Sequence, residues 1–321
     1  MKQILVTGGA GFIGSHLIGK LLEDKTYGVT CVDNFDPYYD PAIKRANLAG
    51  YLENPRFQLV EESVVNREAL RAKLPGPYHA IVHLAAKVGV RPSLEQISEY
   101  YAVNVSGTNH VLELARDLGV KQFIFASSSS VYGVNPKVPW SEEDANLMPI
   151  SPYAATKLSG EMMGHVYAHL YGIRFVALRF FTVYGPRQRP DLAISKFARL
   201  IEAGLPIPVY GDGSTRRDYT FVDDIVAGIV AALHYQESSY EIINLGNHTT
   251  ISLAELIALV EQYSHRKAVR NLLPEQPGDV HQTYADIRKA QRLLGYQPVH
   301  DIRKGLEKFM EWYRQSQRLP V

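Results

Sequence analysis

The chain has 321 residues, 46% hydrophobic and 21% charged, with a net charge of +1. That is enough for one large domain or two joined ones around a buried core, and the even charge lacks the basic footprint of a nucleic-acid binder. Cys31 is the only cysteine, so no intramolecular disulfide can form. No apolar run approaches the length of a membrane span, and Met1 leads into a strand-like run and not a targeting segment. A cytoplasmic protein with no nucleic-acid or membrane partner is expected.

In chain order, Ile4–Val6 reads as a strand, Phe12–Leu22 as a helix, and Val29–Val32, Phe57–Val60 and Ala80–Leu84 as further strands. A helix over Tyr100–Leu118 precedes a strand at Gln122–Ala126, and a longer helix over Tyr153–Tyr171 precedes one at Phe175–Arg179. Strands separated by helical crossovers predict an α/β fold, a doubly wound parallel sheet covered on both faces. After Arg179 prolines and glycines crowd the chain as far as Gly213. Helices are expected at Ile194–Ala203, Val222–Leu233, Ile251–Ser264 and Ile302–Arg314, and a returning strand at Ile242–Leu245. The expected organisation is a dinucleotide-binding Rossmann domain over 1–180, with 218–246 returning to it. A smaller C-terminal α/β substrate domain would comprise 181–217 and 247–321.

Gly8-Gly9-Ala10-Gly11-Phe12-Ile13-Gly14 joins the first strand to the first helix as G-x-x-G-x-x-G. Gly8, Gly11 and Gly14 allow a tight turn. Backbone N–H groups there, with Phe12 and Ile13 opening the helix, can then approach a pyrophosphate. Asp33 ends the second strand at the distance expected of a ribose-binding carboxylate. It would accept hydrogen bonds from the hydroxyls and repel a 2′-phosphate, which favours NAD over NADP; on its own a strand-end aspartate is a turn residue.

Tyr153 and Lys157 stand four apart on one helix face. An ammonium beside a phenol lowers the phenol's pKa and equips it for proton exchange with a sugar hydroxyl. The same spacing is common on solvated helix faces. The run Ser127–Ser130 follows the fifth strand, where a serine hydroxyl can reach the same reacting oxygen, or a polar loop can simply turn. The histidines lack metal-ligand spacing, and no metal is expected.

Taken together these motifs resemble the extended short-chain dehydrogenase/reductase family along the length of the chain. Further segments similar to it are His83-Leu84-Ala85-Ala86, Asn104–Thr108, Ser127–Gly133, Ser151–Lys157, Arg217-Asp218-Tyr219 and Pro277–Asp279. The resemblance implies that Tyr153 is the acid/base, that Lys157 supports it and binds the nicotinamide ribose, and that Ser128 completes the triad. It places Asn34, Leu84, Ala85, Ala86 and Asn104 on the cofactor side, and Arg217 on the diphosphate of a nucleotide sugar. Asp279 joins the substrate contacts. Where family members often carry an aspartate after the third strand, this chain has Ser63-Val64, so those two are not expected to hold adenine. A homodimer through the helices around Val103–Leu118 and Tyr153–Tyr171 is also implied.

Members of the family share removal of a C4 hydride and differ in the fate of the ketone. Dehydratases place Asp-Glu before Val-Tyr-Gly, and decarboxylases usually place Glu at the second position; here Ser129 and Ser130 stand there. Epimerisation needs neither acid, so the resemblance favours it. The segment Asp33–Lys44, Thr182 within Phe181–Pro186, and Gln276 before Pro277 resemble the UDP-glucuronate 4-epimerase group, which implies a UDP-sugar uronate as substrate. Thr182, Ser129 and Ser130 are the candidates to receive its carboxylate; Thr182 as a neutral packing substitution is the plainer reading. Arg91 and Arg189 are each as readily surface arginines as ligand contacts. The rival readings are a UDP-glucose or UDP-N-acetylglucosamine 4-epimerase, a uronate decarboxylase, and, from another class, an NAD-binding sensor without catalysis.

Overall fold

The computed structural model describes residues 1–275 and 280–316. Seven parallel strands form one sheet. They are β1 (Lys2–Thr7), β2 (Tyr27–Asp33), β3 (Phe57–Glu61), β4 (Ala80–His83), β5 (Gln122–Ser128), β6 (Arg174–Phe180) and β7 (Tyr240–Leu245). Their order across the sheet is β7-β6-β5-β4-β1-β2-β3. The chain therefore winds outward in both directions from the β1–β4 pair, and a crevice opens where the winding reverses, at the carboxyl ends of those strands.

The strands read as continuous apolar runs because both faces are covered. Ile4 and Val6 face one core with Val29 and Cys31, whereas Leu5 faces another with Phe123, Phe125 and Phe175. The second core is closed by the helix Pro152–Tyr171. Ser151 caps its start, accepting from the Ala154 amide at 3.2 Å, and Gly172 ends it in the left-handed conformation. At Gly160 a Cβ would come within 2.3 Å of the Phe125 ring. Glycine there lets the helix lie close to the sheet, which hangs Tyr153 and Lys157 over the end of β5.

The helix expected over Tyr100–Leu118 is not uniform. Ordinary turns at Ile97–Tyr100 and Thr108–Asp117 flank wide π-type turns over Tyr101–Gly107. The cause lies at Asn104. The Thr108 hydroxyl takes its carbonyl at 2.6 Å, and its side chain bonds outward to other segments, so the local ladder is reset at a site of tertiary contact.

Beyond Phe180, apart from β7, the strands are short pairs. Thr182–Tyr184 runs parallel to Tyr219–Phe221, Ile207–Tyr210 runs parallel to Arg270–Leu273, and Arg216–Arg217 is antiparallel to Ile251–Ser252. Helices Ala193–Glu202, Val222–Ala232, Leu253–Ser264 and Ile302–Ser316 accompany them, close to the positions expected. Among the described residues no helix is long and apolar enough to cross a membrane.

Candidate active site

A single cleft of about 960 Å³ runs from the glycine loop past Tyr153 to Arg217. Its first wall is backbone. Gly8 has φ +71°, and a Cβ on it would lie 2.7 Å from the Ala85 amide nitrogen; a Cβ on Gly14 would lie 2.4 Å from the Gly8 carbonyl. Only glycine permits this closeness. The helix behind the loop starts at Phe12 with no side chain capping it, so its first amides are available to an anion. Gly8, Gly11, Phe12, Ile13 and Gly14 all line the cleft.

Asp33 closes the end of β2. Its carboxylate accepts from the Ala10 amide at 3.0 Å and the Phe35 amide at 2.8 Å. Burial raises its pKa, while those amides and Lys44 oppose the rise. Asn34, Leu84, Ala85 and Ala86 line the same stretch. A glycine cradle, open helix amides and a strand-end carboxylate are the donor and acceptor set that a dinucleotide requires, and the residues present fit NAD.

Asn104 departs from expectation. It is absent from the cleft wall and 2% exposed. Its amide donates to the Lys87 carbonyl and the Thr156 hydroxyl, both at 3.0 Å, and accepts from the Lys87 amide at 2.8 Å. It thus holds the loop after β4 from beneath. His83, next to that loop, bridges the Thr7 and Thr108 hydroxyls; burial pushes its pKa down to about 3, so it stays neutral.

At the centre of the cleft Ser128 and Tyr153 both line the wall, and Ser128 opposes the rise that burial imposes on the phenol's pKa. The Ser128 hydroxyl donates to that of Ser130 at 3.1 Å. Ser127, Ser128, Ser130 and Thr182 line the cleft, whereas Ser129, expected with them, is buried and not part of the cleft wall. Lys157 donates to the Ala126 carbonyl at 2.7 Å, with its ammonium 5.9 Å from the Tyr153 ring centre. The expectation of a lysine-lowered phenol needs correction. Burial raises the Tyr153 pKa, and the opposing influences are Ser128 and Arg189. Burial also pulls Lys157 down, to about 7, against the attraction of Glu161. Desolvation is the largest influence on both groups.

The far wall is built from long side chains, Arg91 on the helix Val90–Glu95, Arg217 on the short strand Arg216–Arg217, and Arg189 on the loop between. Arg189 is gripped by Asp191 at 3.0 and 2.8 Å, and Asp191 also accepts from the Tyr38 hydroxyl at 3.3 Å. Arg91 lies over the Tyr210 ring at 4.7 Å. Arg217 donates to the carbonyls of Arg216 and His281. All three arginines reach the cleft. Asp279, with Gln276 and Pro277, lies outside the described residues. Sequence reading missed Lys44, Lys87 and Asp191 as cleft residues. Lys87 directly follows the His83–Ala86 segment, and Lys44 closes the Asp33–Lys44 segment, so adjacency was the available signal; nothing in the sequence joins Asp191 to Tyr38.

A family model described as the NAD dependent epimerase/dehydratase family matches residues 4–246. The chain belongs to this family. UDP-glucuronate 4-epimerase 3 of Arabidopsis thaliana is 42% identical over 97% of this chain and 76% of its own. The UDP-glucuronate 4-epimerase of Thermodesulfobacterium geofontis is 40% identical over 98% and 97%. Among solved structures, UDP-glucuronic acid 4-epimerase from Bacillus cereus, in complex with UDP-glucuronic acid and NAD, superposes with a TM-score of 0.90 at 38% identity, covering 98% of this chain and 99% of that one. As a member of the NAD dependent epimerase/dehydratase family, the chain carries its Rossmann sheet in full.

Proposed function

We propose that this chain is a UDP-glucuronate 4-epimerase that interconverts UDP-glucuronate and UDP-galacturonate with tightly held NAD. The observation that carries this reading is the composition of the Ser127–Tyr132 segment around the Tyr153 phenol. It offers hydroxyls from Ser128 and Ser130, joined by Thr182 from the facing strand, and no carboxylic acid. Elimination needs an acid at the leaving hydroxyl; reversible oxidation at C4 does not. Full-length likeness to relatives named for this activity supports the substrate.

When bound, NAD supplies the acceptor, and later the donor, of the C4 hydride. The chain's own residues do the rest. Tyr153 takes the O4 proton as C4 is oxidised and returns it after the sugar ring has turned its other face. Ser128 holds O4 by hydrogen bond, and Lys157 contributes positive charge beneath it. Arg217 takes the diphosphate, for which an arginine fork is suited. Arg91 and Arg189 flank the sugar. Ser130 and Thr182 receive the uronate carboxylate. The 4-keto uronate is a β-keto acid and loses carbon dioxide when the carboxylate bond stands perpendicular to the ketone plane; these hydroxyls hold it nearer that plane.

The division at residue 180, with 218–246 rejoining the sheet, places the cofactor in the first unit and the nucleotide sugar between the two. A homodimer follows from the outward face of the helix Pro152–Tyr171, where Met162, Val166 and Leu170 recur at helical spacing and are 50%, 48% and 61% exposed. A monomeric mass in solution would refute it. A cytoplasmic location suits a chain whose only cysteine is buried and whose fold rests on no disulfide. Substrate choice is tested by comparing kcat/KM: a preference for UDP-glucuronate over UDP-glucose of at least about tenfold is expected, and the reverse preference would move the chain to the neutral-hexose epimerases.

A further inference from the structure

Beneath Tyr153 and Lys157 lies a charged pair with no contact to the cleft. Tyr153, Lys157 and Glu161 occupy one helix face at successive intervals of four. They meet three consecutive residues at the end of β5. Ser128 lines the cleft with Tyr153 and acts on its phenol, the Ala126 carbonyl accepts from Lys157 at 2.7 Å, and the Ser127 hydroxyl donates to Glu161 at 2.5 Å. Glu161 is wholly buried. Arg179, the register partner of Ser127 on β6, grips it with two bonds of 2.9 and 2.7 Å.

The pair has a second reach. The Arg179 guanidinium lies 4.8 Å from the centre of the Tyr132 ring, and the Tyr132 hydroxyl donates to Asn244 on β7 at 2.7 Å. Tyr132 ends the short turn that carries Ser130. One buried ion pair therefore touches both ends of the serine segment and stands one helical turn from Lys157. A buried pair is a poor way to gain stability, since apolar residues of similar volume serve as well. Its retention here calls for another role.

We propose that Glu161, clasped by Arg179, is a positioning residue for the proton-handling set: its carboxylate, one helical turn beyond Lys157, favours the ammonium form of that lysine, and its bond to Ser127 fixes the strand end that carries Ser128. The titratable and charged groups around Lys157 are Tyr153 and Glu161 on its own helix, His83 on β4, which stays neutral, and Arg179 on β6 behind Glu161. Glu161 is the only anion among them. The inference rests on the epimerase reading for its kinetic arm but not for its spectroscopic one.

Two variants separate the two roles. In Glu161→Gln, labelled with ¹³C at the lysine Cε, the titration midpoint of Lys157 should fall by about one pH unit, and the alkaline limb of kcat with UDP-glucuronate should fall with it. An unmoved midpoint in a folded variant overturns the electrostatic role, whatever the substrate proves to be. In Ser127→Ala the ion pair stays and only its link to the strand end is cut. There kcat should drop several-fold with KM unchanged and the Lys157 midpoint unmoved. Unaltered kcat overturns the positioning role, and it does so even if Glu161→Gln fails to fold. A wild type that turns over no UDP-glucuronate while its Lys157 midpoint still responds to Glu161→Gln would instead indict the assigned activity.

Discussion

The two walls of the cleft are made differently. On the side proposed for the cofactor the wall is mostly backbone, with the Asp33 carboxylate at its end: the amides behind Gly8, Gly11 and Gly14 are held at distances where a Cβ on Gly14 would strike a carbonyl at 2.4 Å. On the side proposed for the sugar they are long side chains, Arg189 on a loop and tethered by Asp191, Arg217 on a two-residue strand and leaning on two carbonyls. A backbone wall tolerates no substitution but admits any ligand with the same phosphates and ribose. A side-chain wall can change its ligand by exchanging one residue. On the proposed function, chemistry common to the family would sit on the first and at the helix over β5, and specificity on the second.

The largest effect should come from the shared chemistry. Tyr153→Phe removes the proton carrier and should lower kcat by about a thousandfold while leaving NAD bound. Retained turnover would show that another group moves the proton. Gly14→Ala attacks the backbone wall. The purified protein should lose most of its NAD, read from the absorbance of a denatured sample, and turnover should fall by about a hundredfold unless NAD is added. Arg217→Ala attacks the side-chain wall. KM should rise about tenfold to a hundredfold, the worth of a charged hydrogen bond, with kcat much less affected. An effect on NAD content instead would break the division between walls.

Lys157 gives a smaller effect with a definite sign. Its pKa is near 7 in the fold, against 10.5 for a free lysine. Between those values the unfolded chain binds more protons, so stability rises with pH through that window. Below pH 7 both states are protonated and the cost of the buried ammonium is present in full. Lys157→Met should therefore gain in Tm relative to wild type at pH 6, by roughly a few degrees, and the gain should shrink as pH approaches 10. Differential scanning fluorimetry reads both. The smallest effect is chemical: Thr182→Ala and Ser130→Ala should each release a trace of UDP-pentose above wild type, seen by chromatography, as the carboxylate loses its restraint.

Legibility in the sequence follows the same division. The parallel sheet could be read because both faces are covered, so that runs such as Val29–Val32 stand out, and because Gly8–Gly14 falls between strand and helix. Tyr153, Lys157 and Ser128 were legible through spacing and resemblance. Three things were not. The wide turns at Tyr101–Gly107 depend on what the Asn104 amide meets across the fold, which no local pattern encodes. Ser128, Ser129 and Ser130 are identical in sequence, and only the turn that follows β5 turns Ser129 away. Burial shifts Tyr153 up and Lys157 down, and the helical spacing that pairs them does not encode how deeply either is buried.

The central claim is an epimerase that carries its own NAD and keeps its keto acid intact. Purified protein should be incubated with UDP-glucuronate, with no NAD added, and the nucleotide sugars separated by chromatography. UDP-galacturonate appearing without appreciable UDP-pentose is the predicted result. UDP-pentose as the main product, or no conversion of UDP-glucuronate alongside conversion of UDP-glucose, would contradict it.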